Sequence, residues 1–168
     1  MIGLAILFCY ILQQMASSGK ILARNRKAFH DYEIGKREVA GLVLTGAEVK
    51  STRLGGAKLA GSYVVFKGEE AYLVGAHIAS YKPAALSDYD PTRSRKLLLA
   101  KKELQSLRGT VEQAGVSLVP LEIIAQGKFL KLVFAVGKGK KKAEKKRAKK
   151  EKDIMRDAER TIKQRLRH

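Results

Sequence analysis

Positive charge is concentrated at the C-terminal end of this 168-residue chain. Residues Lys138 to His168 hold fifteen Lys and Arg against five Asp and Glu, which is +10 of the total net charge of +18. Like charges at this density repel one another and bury little apolar surface, so the folded core must come from the preceding residues. The charge itself points to a polyanionic partner, because each phosphate that a Lys or Arg neutralises releases condensed counterions. An anionic membrane surface is the alternative partner.

The basic segment changes character at Asp153, where apolar residues begin to recur. At 100° per residue, the cationic side chains of Arg156, Arg160, Lys163 and Arg167 fall on one side of a helix. The opposite side carries Ile154, Met155, Ala158, Ile162 and Leu166. We therefore predict an amphipathic basic helix that orders on a partner, since such a helix alone is marginal in water. A solvated tail with chance periodicity is the alternative.

The N-terminal end carries an apolar segment, Met1 to Leu12. It is too short to span a bilayer and lacks the basic region of a secretory signal. We expect residues 1–20 to lie outside the fold, as the product of an upstream start codon, as an expression artefact, as a weak signal or anchor, or as an apolar arm. The only cysteine, Cys9, cannot form an internal disulfide or a cysteine-based metal site, which favours a cytoplasmic location.

Between these ends, residues 21–137 are rich in strand formers and turn residues. Strands are predicted at His30–Ile34, Val39–Leu44, Ser62–Lys67, Ala71–Ile78, Val116–Ala125 and Phe129–Val136. Two pairs of these strands flank Gly68-Glu69-Glu70 and Gln126-Gly127-Lys128, which predicts two hairpins. About six strands interrupted by a helix suit a small closed or partly open barrel.

Two helices are predicted between the strands. Thr45 and Glu48 have capping-box spacing, so a short helix should run from there to Arg53. Asp90-Pro91 suits the start of a long helix whose apolar stripe runs from Leu97 to Ala114. Three cations, Arg93, Arg95 and Lys96, would then lie in the first turn and oppose the helix dipole. A sequence that accepts this penalty is expected to have an anionic partner.

Six short motifs occur in a fixed order along the chain. They are NRKA at Asn25–Ala28, HDYEI at His30–Ile34, GAEVKS at Gly46–Ser51, DPTRSRKLLL at Asp90–Leu99, VPL at Val119–Leu121 and KGKK at Lys138–Lys141. Together they resemble the SsrA-binding protein family, SmpB, from about residue 25 to the C-terminus. The resemblance implies a mainly β fold: a six-stranded OB-like barrel at 21–137 with two or three helices. It also implies a basic tail at 138–168 that becomes helical on the ribosome.

The resemblance also implies a function in trans-translation. The protein would bind the tRNA-like domain of transfer-messenger RNA and deliver it to stalled 70S ribosomes, with its tail in the empty mRNA channel and decoding site along small-subunit ribosomal RNA. Elongation factor Tu, carrying the aminoacylated RNA, would be a further partner of a monomeric protein. No cofactor, membrane contact or enzymatic step is expected. A structural ribosomal protein with an RNA-embedded tail, a membrane-surface protein and an enzyme are the alternatives.

Candidate contact residues follow from the basic motifs and from the resemblance. Those predicted to contact transfer-messenger RNA are Arg24, Asn25, Arg26, Lys27, Lys50, Ser51, Arg53, Arg93, Arg95, Lys96, Leu98 and Lys128. Those predicted to contact the ribosome are Lys138, Lys140, Lys141, Lys142, Arg147, Ile154, Met155, Arg156, Arg160, Ile162, Lys163 and Arg167. Two positions depart from the family pattern. Val39 stands where relatives usually have Glu, and Ala100 stands where they tend to have His or Asn.

Overall fold

Six antiparallel strands close into a hydrogen-bonded ring in the computed structural model, which describes residues 19–81, 89–141 and 144. In chain order the elements are β1 Lys20–Arg24, α1 Arg26–Asp31, β2 Tyr32–Leu42, α2 Gly46–Arg53, β3 Ala57–Lys58, β4 Tyr63–Lys67, β5 Glu70–Val74, β6 His77–Ile78, β7 Arg95–Leu98, α3 Lys101–Ala114, β8 Ser117–Gln126 and β9 Phe129–Gly139. The ring order is β8-β4-β5-β7-β2-β9, and β9 returns to pair with β8. The predicted mainly β, six-stranded, OB-like architecture is confirmed.

The remaining strands lie beside the ring. Strand β1 pairs with β8, and β3 and β6 form a separate two-stranded sheet. The predicted leader, residues 1–20, overlaps β1 by one residue because the strand begins at Lys20. Residues 1–18 lie outside the described part of the chain. No helix in the described part is long and apolar enough to cross a membrane.

The main core fills the inside of the ring. In β9, Leu132 and Phe134 lie two residues apart on the same face of the strand, belong to this core and have no exposed surface. Helix α3 adds Leu104 and Leu107 to the same core. A second, smaller core lies outside the ring, where Ala28 of α1 packs on β8 and β9. Helix α1 is therefore fixed to the outer face of these strands.

The predicted long helix starts at the wrong place. Asp90 does not cap a helix; its Oδ1 instead accepts hydrogen bonds of 2.8 Å from the amide and hydroxyl of Thr92. Residues Arg95–Leu98 form β7, and α3 begins only at Lys101. The apolar spacing from Leu97 onward was compatible with a helix, but pairing with β5 and β2 buries Leu97 in the sheet. Tertiary pairing here overrides the local signal.

The start of the fold also differs from the sequence prediction. His30 and Asp31 belong to α1 rather than to a strand, because the Asn25 side chain caps this short helix through the Ala28 amide. The two strands predicted near residues 30–44 are one strand, β2, with an irregularity between Ile34 and Arg37. Both predicted hairpins are present, as β4–β5 and β8–β9.

Candidate nucleic-acid interface

Helix α2 presents two cations on its exposed side. The predicted capping box is confirmed: the Glu48 amide donates to Thr45 Oγ1 at 3.3 Å, and the Thr45 amide donates to Glu48 Oε2 at 2.8 Å. This start places Lys50 and Arg53 at the surface. Ser51 lies on the buried side, where its hydroxyl donates to the Ala79 carbonyl at 2.6 Å. Ser51 therefore anchors α2 and offers little surface to RNA, in contrast to its predicted role.

Arg53 connects the end of α2 to the turn of the β8–β9 hairpin. Its Nη2 atom donates to the carbonyls of Gly127 and Lys128, both at 3.2 Å. This brings two predicted RNA-contacting cations, Arg53 and Lys128, to one place, and both are exposed. Two large apolar side chains beside them are also exposed, Leu54 at 78% and Phe129 at 73%. Cations next to exposed apolar groups suit a surface that contacts both phosphates and unstacked bases.

A second group of cations surrounds α1. Arg24 is 55% exposed, pairs with Glu122 at 3.0 Å and lies 5.5 Å from the ring centre of Phe29. Arg26 and Lys27 are exposed on the helix itself. Arg37, which was not among the residues predicted from the sequence, lies 5.8 Å from the centre of the same Phe29 ring. These side chains form a basic surface around one aromatic ring.

Asn25 does not belong to that surface. It is 5% exposed, and its Nδ2 atom donates to the carbonyls of Leu59 at 3.1 Å and Pro120 at 2.9 Å. With its Oδ1 atom on the Ala28 amide, the side chain is committed to holding α1 against the ring. The predicted RNA contact of Asn25 is therefore replaced by a structural role.

A buried ion cluster is centred on Glu48. Its side chain has no exposed surface, and Arg95, also fully buried, donates from Nε to Oε1 at 2.9 Å. Arg93 donates to the same carboxylate from Nε at 2.9 Å and from Nη2. Burial raises the pKa of Glu48, but the bonds from Arg93 and Thr45 and the charge of Arg95 outweigh it, so the pKa lies below its usual value.

The three cations predicted for one helical turn therefore have three different environments. Arg95 is enclosed and also donates to three carbonyls, which corrects its predicted role as a direct RNA contact. Arg93 is 35% exposed despite its bond to Glu48. Lys96 is 42% exposed and pairs with Glu70. Leu98 is 57% exposed and pairs with Gly41 on the neighbouring strand. A Cβ atom added to Gly41 would lie 3.2 Å from the Cβ atom of Leu98.

The first residues of the predicted tail are part of the fold. Lys138 lies in β9 opposite Glu33, and the Lys140 amide donates to the Asp31 carbonyl at 2.9 Å. Lys140 Nζ also reaches the Phe29 carbonyl at 3.3 Å. Lys141 is the last cation of the predicted ribosome-contacting set within the described residues. The other members lie outside them: Lys142, Arg147, Ile154, Met155, Arg156, Arg160, Ile162, Lys163 and Arg167.

Two features of the site were not predicted from the sequence: the buried ion cluster around Glu48 and the Phe29 ring among the cations near α1. The capping-box spacing indicated a bond from Glu48 to Thr45, but nothing local showed that two arginines about 45 residues away would share the carboxylate. Phe29 followed the recognised basic motif directly, so its position was a usable signal. Within the described residues, no group of three His, Cys, Asp or Glu side chains could hold a metal ion.

The closed six-strand ring with its exposed cations places this chain in the class of small OB-like β proteins. The family model for SmpB protein matches residues 22–164, so this chain belongs to the SmpB family. It is 49% identical over 146 residues to the SsrA-binding protein of Sulfurihydrogenibium sp., covering 87% of this chain and 96% of that protein. It is 43% identical over 151 residues to the SsrA-binding protein of Shouchella clausii, covering 90% and 97%.

A solved structure supports the same family. One chain of the structure described as "tmRNA-SmpB: a journey to the center of the bacterial ribosome" is 44% identical and superposes with a TM-score of 0.60. The match covers 71% of this chain and 84% of that one. The likeness therefore extends from sequence to the three-dimensional fold.

Proposed function

We propose that this chain binds the tRNA-like part of transfer-messenger RNA and delivers it to stalled ribosomes in trans-translation. The observation that carries the proposal is the SmpB family match over residues 22–164, which spans both the ring and the basic tail. The protein would act as an RNA-binding adaptor and would carry out no chemical step itself. The proposed partners are transfer-messenger RNA, the stalled 70S ribosome and elongation factor Tu with the aminoacylated RNA, and the adaptor acts as a monomer.

The ring supplies the proposed contacts to transfer-messenger RNA. Contact residues are those whose side chains remain at least partly exposed: Arg24, Arg26, Lys27, Lys50, Arg53, Arg93, Lys96, Leu98 and Lys128. The charged and the apolar residues of this set make different contacts with the RNA. The cations neutralise phosphates, and Leu98, with Phe129 added from the structure, packs on bases or sugars.

The tail supplies the proposed contact to the ribosome. An mRNA channel that lacks mRNA is walled by ribosomal RNA, and a helix with Arg156, Arg160 and Lys163 on one side complements that charge. The apolar side, with Ile154 and Ile162, would pack on bases or on protein. In this proposal the tail takes the place of codon pairing in the empty decoding site.

The test is to sequence the RNA that co-purifies with the full chain and then to measure its affinity at several salt concentrations. Arg53→Ala combined with Lys128→Ala removes two adjacent cations, so we expect weaker binding and a salt slope that is shallower by about 1.4–1.8. Lys67→Ala combined with Lys102→Ala removes the same charge from exposed positions on β4 and α3 and should change the slope less.

Two outcomes would contradict the proposal. Co-purification of bulk ribosomal RNA in equimolar, salt-resistant amounts would support the structural ribosomal protein instead. Equal effects of the two double substitutions would show that the total charge matters and that the surface formed by Arg53 and Lys128 does not.

A further inference from the structure

Two guanidinium groups share the single buried carboxylate of Glu48. Arg95 needs this carboxylate, because it is fully buried and an unpaired buried charge is costly. Arg93 differs, because 35% of its side chain remains in contact with solvent and its charge needs no buried partner. The buried pair of Glu48 and Arg95 is neutral by itself, so Arg93 brings a second positive charge to a carboxylate that is already compensated.

The hydrogen bonds of Arg93 fix the orientation of its guanidinium group. Nε and Nη2 hold the two oxygens of Glu48 side-on, and Nη1 donates to the Ser94 carbonyl at 3.4 Å. A guanidinium has five N–H groups. Three of those of Arg93 donate to acceptors among the described residues, so two remain for an acceptor outside the protein. The Asp90 carboxylate, whose Oδ1 atom accepts from the amide and hydroxyl of Thr92, forms no hydrogen bond with Arg93.

We propose that Glu48 is a positioning residue that orients the Arg93 guanidinium for a two-point contact with an RNA phosphate. The inference rests on the proposed function for the identity of the RNA, and the phosphate contact itself needs no particular sequence. A planar guanidinium whose angle is already fixed loses less conformational entropy when it binds a phosphate through two N–H groups.

The neighbouring cations lack this arrangement. Lys96 pairs with Glu70, which is itself 40% exposed, so neither charge is held by a buried partner. Arg108 on α3 is also partly exposed, but it donates to the Gly68 carbonyl and not to a carboxylate, so it provides a reference position. Only the combination of a buried acid, a buried compensating cation and a half-exposed arginine fixes an outward-facing guanidinium.

The test is Arg93→Lys, with Arg108→Lys as the matched control. Both substitutions keep the charge, so the slope of log K against log salt should not change in either variant. Lysine cannot hold the carboxylate side-on and bind phosphate through a fork, so Arg93→Lys should weaken RNA binding about tenfold. Arg108→Lys should change it by less than about twofold, because Arg108 lies outside the proposed contact set and the substitution keeps its charge.

Glu48→Gln in both backgrounds then tests the role of the acid. It should weaken binding when residue 93 is arginine and have no further effect in the Arg93→Lys background. Independent, additive losses would overturn the positioning role, as would wild-type affinity of Arg93→Lys. If Glu48→Gln does not fold, Glu48→Asp takes its place: it keeps the negative charge beside Arg95 but shortens the side chain, and the same non-additive pattern is expected.

The two proposals fail in different ways. A wild-type chain that binds transfer-messenger RNA no better than another RNA of equal length would contradict the proposed function. The same substitutions measured on that other RNA would still show whether Glu48 orients Arg93.

Discussion

Replacing Arg95 with methionine should destabilise the ring far more than replacing Arg93. Arg95→Met removes the donor to Glu48 Oε1 and also the donors to the carbonyls of Ala76 at 2.7 Å, Pro91 at 2.9 Å and Arg93 at 3.0 Å. Breaking a buried ion pair from one side costs about 3–5 kcal/mol. This is a large part of the 5–15 kcal/mol that is typical of a folded domain.

Arg93→Met removes a bond to the same acid but leaves Arg95 in place. The expected loss is about 1–2 kcal/mol, because Glu48 keeps its buried counter-charge and its bond from the Thr45 amide. The losses should also be non-additive. Glu48→Gln combined with Arg95→Met should cost less than the sum of the two single changes, since Glu48→Gln alone leaves the buried Arg95 without its counter-charge and the double variant removes that charge.

Urea unfolding followed by circular dichroism measures these differences, provided that the dependence of the free energy on urea stays the same in all variants. We expect Arg95→Met to be at least twice as destabilising as Arg93→Met. Similar losses for the two variants, or a loss below about 1.5 kcal/mol for Arg95→Met, would refute the idea that a buried ion cluster secures this side of the ring.

Three further outcomes are expected. The pKa of Glu48 is lowered, so its contribution to stability is complete above the ordinary pKa of 4.5 and is lost as the pH falls through the pKa of the folded state. The free energy of unfolding should therefore fall less steeply with acid for Glu48→Gln than for the wild type. Ala100→Asn should raise the free energy of unfolding by about 1 kcal/mol, because Ala100 is the N-cap of α3 and its side chain makes no capping hydrogen bond, which asparagine can supply. An unchanged midpoint temperature of thermal unfolding would contradict this. Ile154→Pro should abolish tagging of stalled products without changing the charge, because proline inside a helix costs about 3 kcal/mol; normal tagging would contradict a helical tail.

Local signals in the sequence predicted the elements that depend on local interactions. The capping box at Thr45 sets the start of α2 through two bonds within four residues. The turn at Gly127 has a positive φ of 59°, which glycine adopts readily, and it sets the β8–β9 hairpin. Asp90-Pro91 carried the same kind of local signal as a helix start, but β5 and β2 draw the following residues into the ring. Strand pairing between distant segments cannot be read from such signals.

The same difference between local and long-range interactions applies to the candidate site. The basic motifs correctly marked positions that are exposed, such as Arg26, Lys27 and Arg53. They also included Arg95 and Asn25, which are buried because their partners come from remote parts of the chain. Charge composition points to a polyanionic partner, but only the folded structure separates cations that face solvent from cations that support the ring.

We expect the ring to bind transfer-messenger RNA and the tail to act only on the ribosome. The most direct measurement compares the full chain with a chain truncated after Glu144, a position that preserves β9 and the bond from the Lys141 amide to Glu144. The expected result is nearly unchanged affinity of the truncated chain for free transfer-messenger RNA, together with complete loss of tagging on stalled ribosomes. Loss of RNA affinity on truncation, or tagging by the truncated chain, would contradict this expectation.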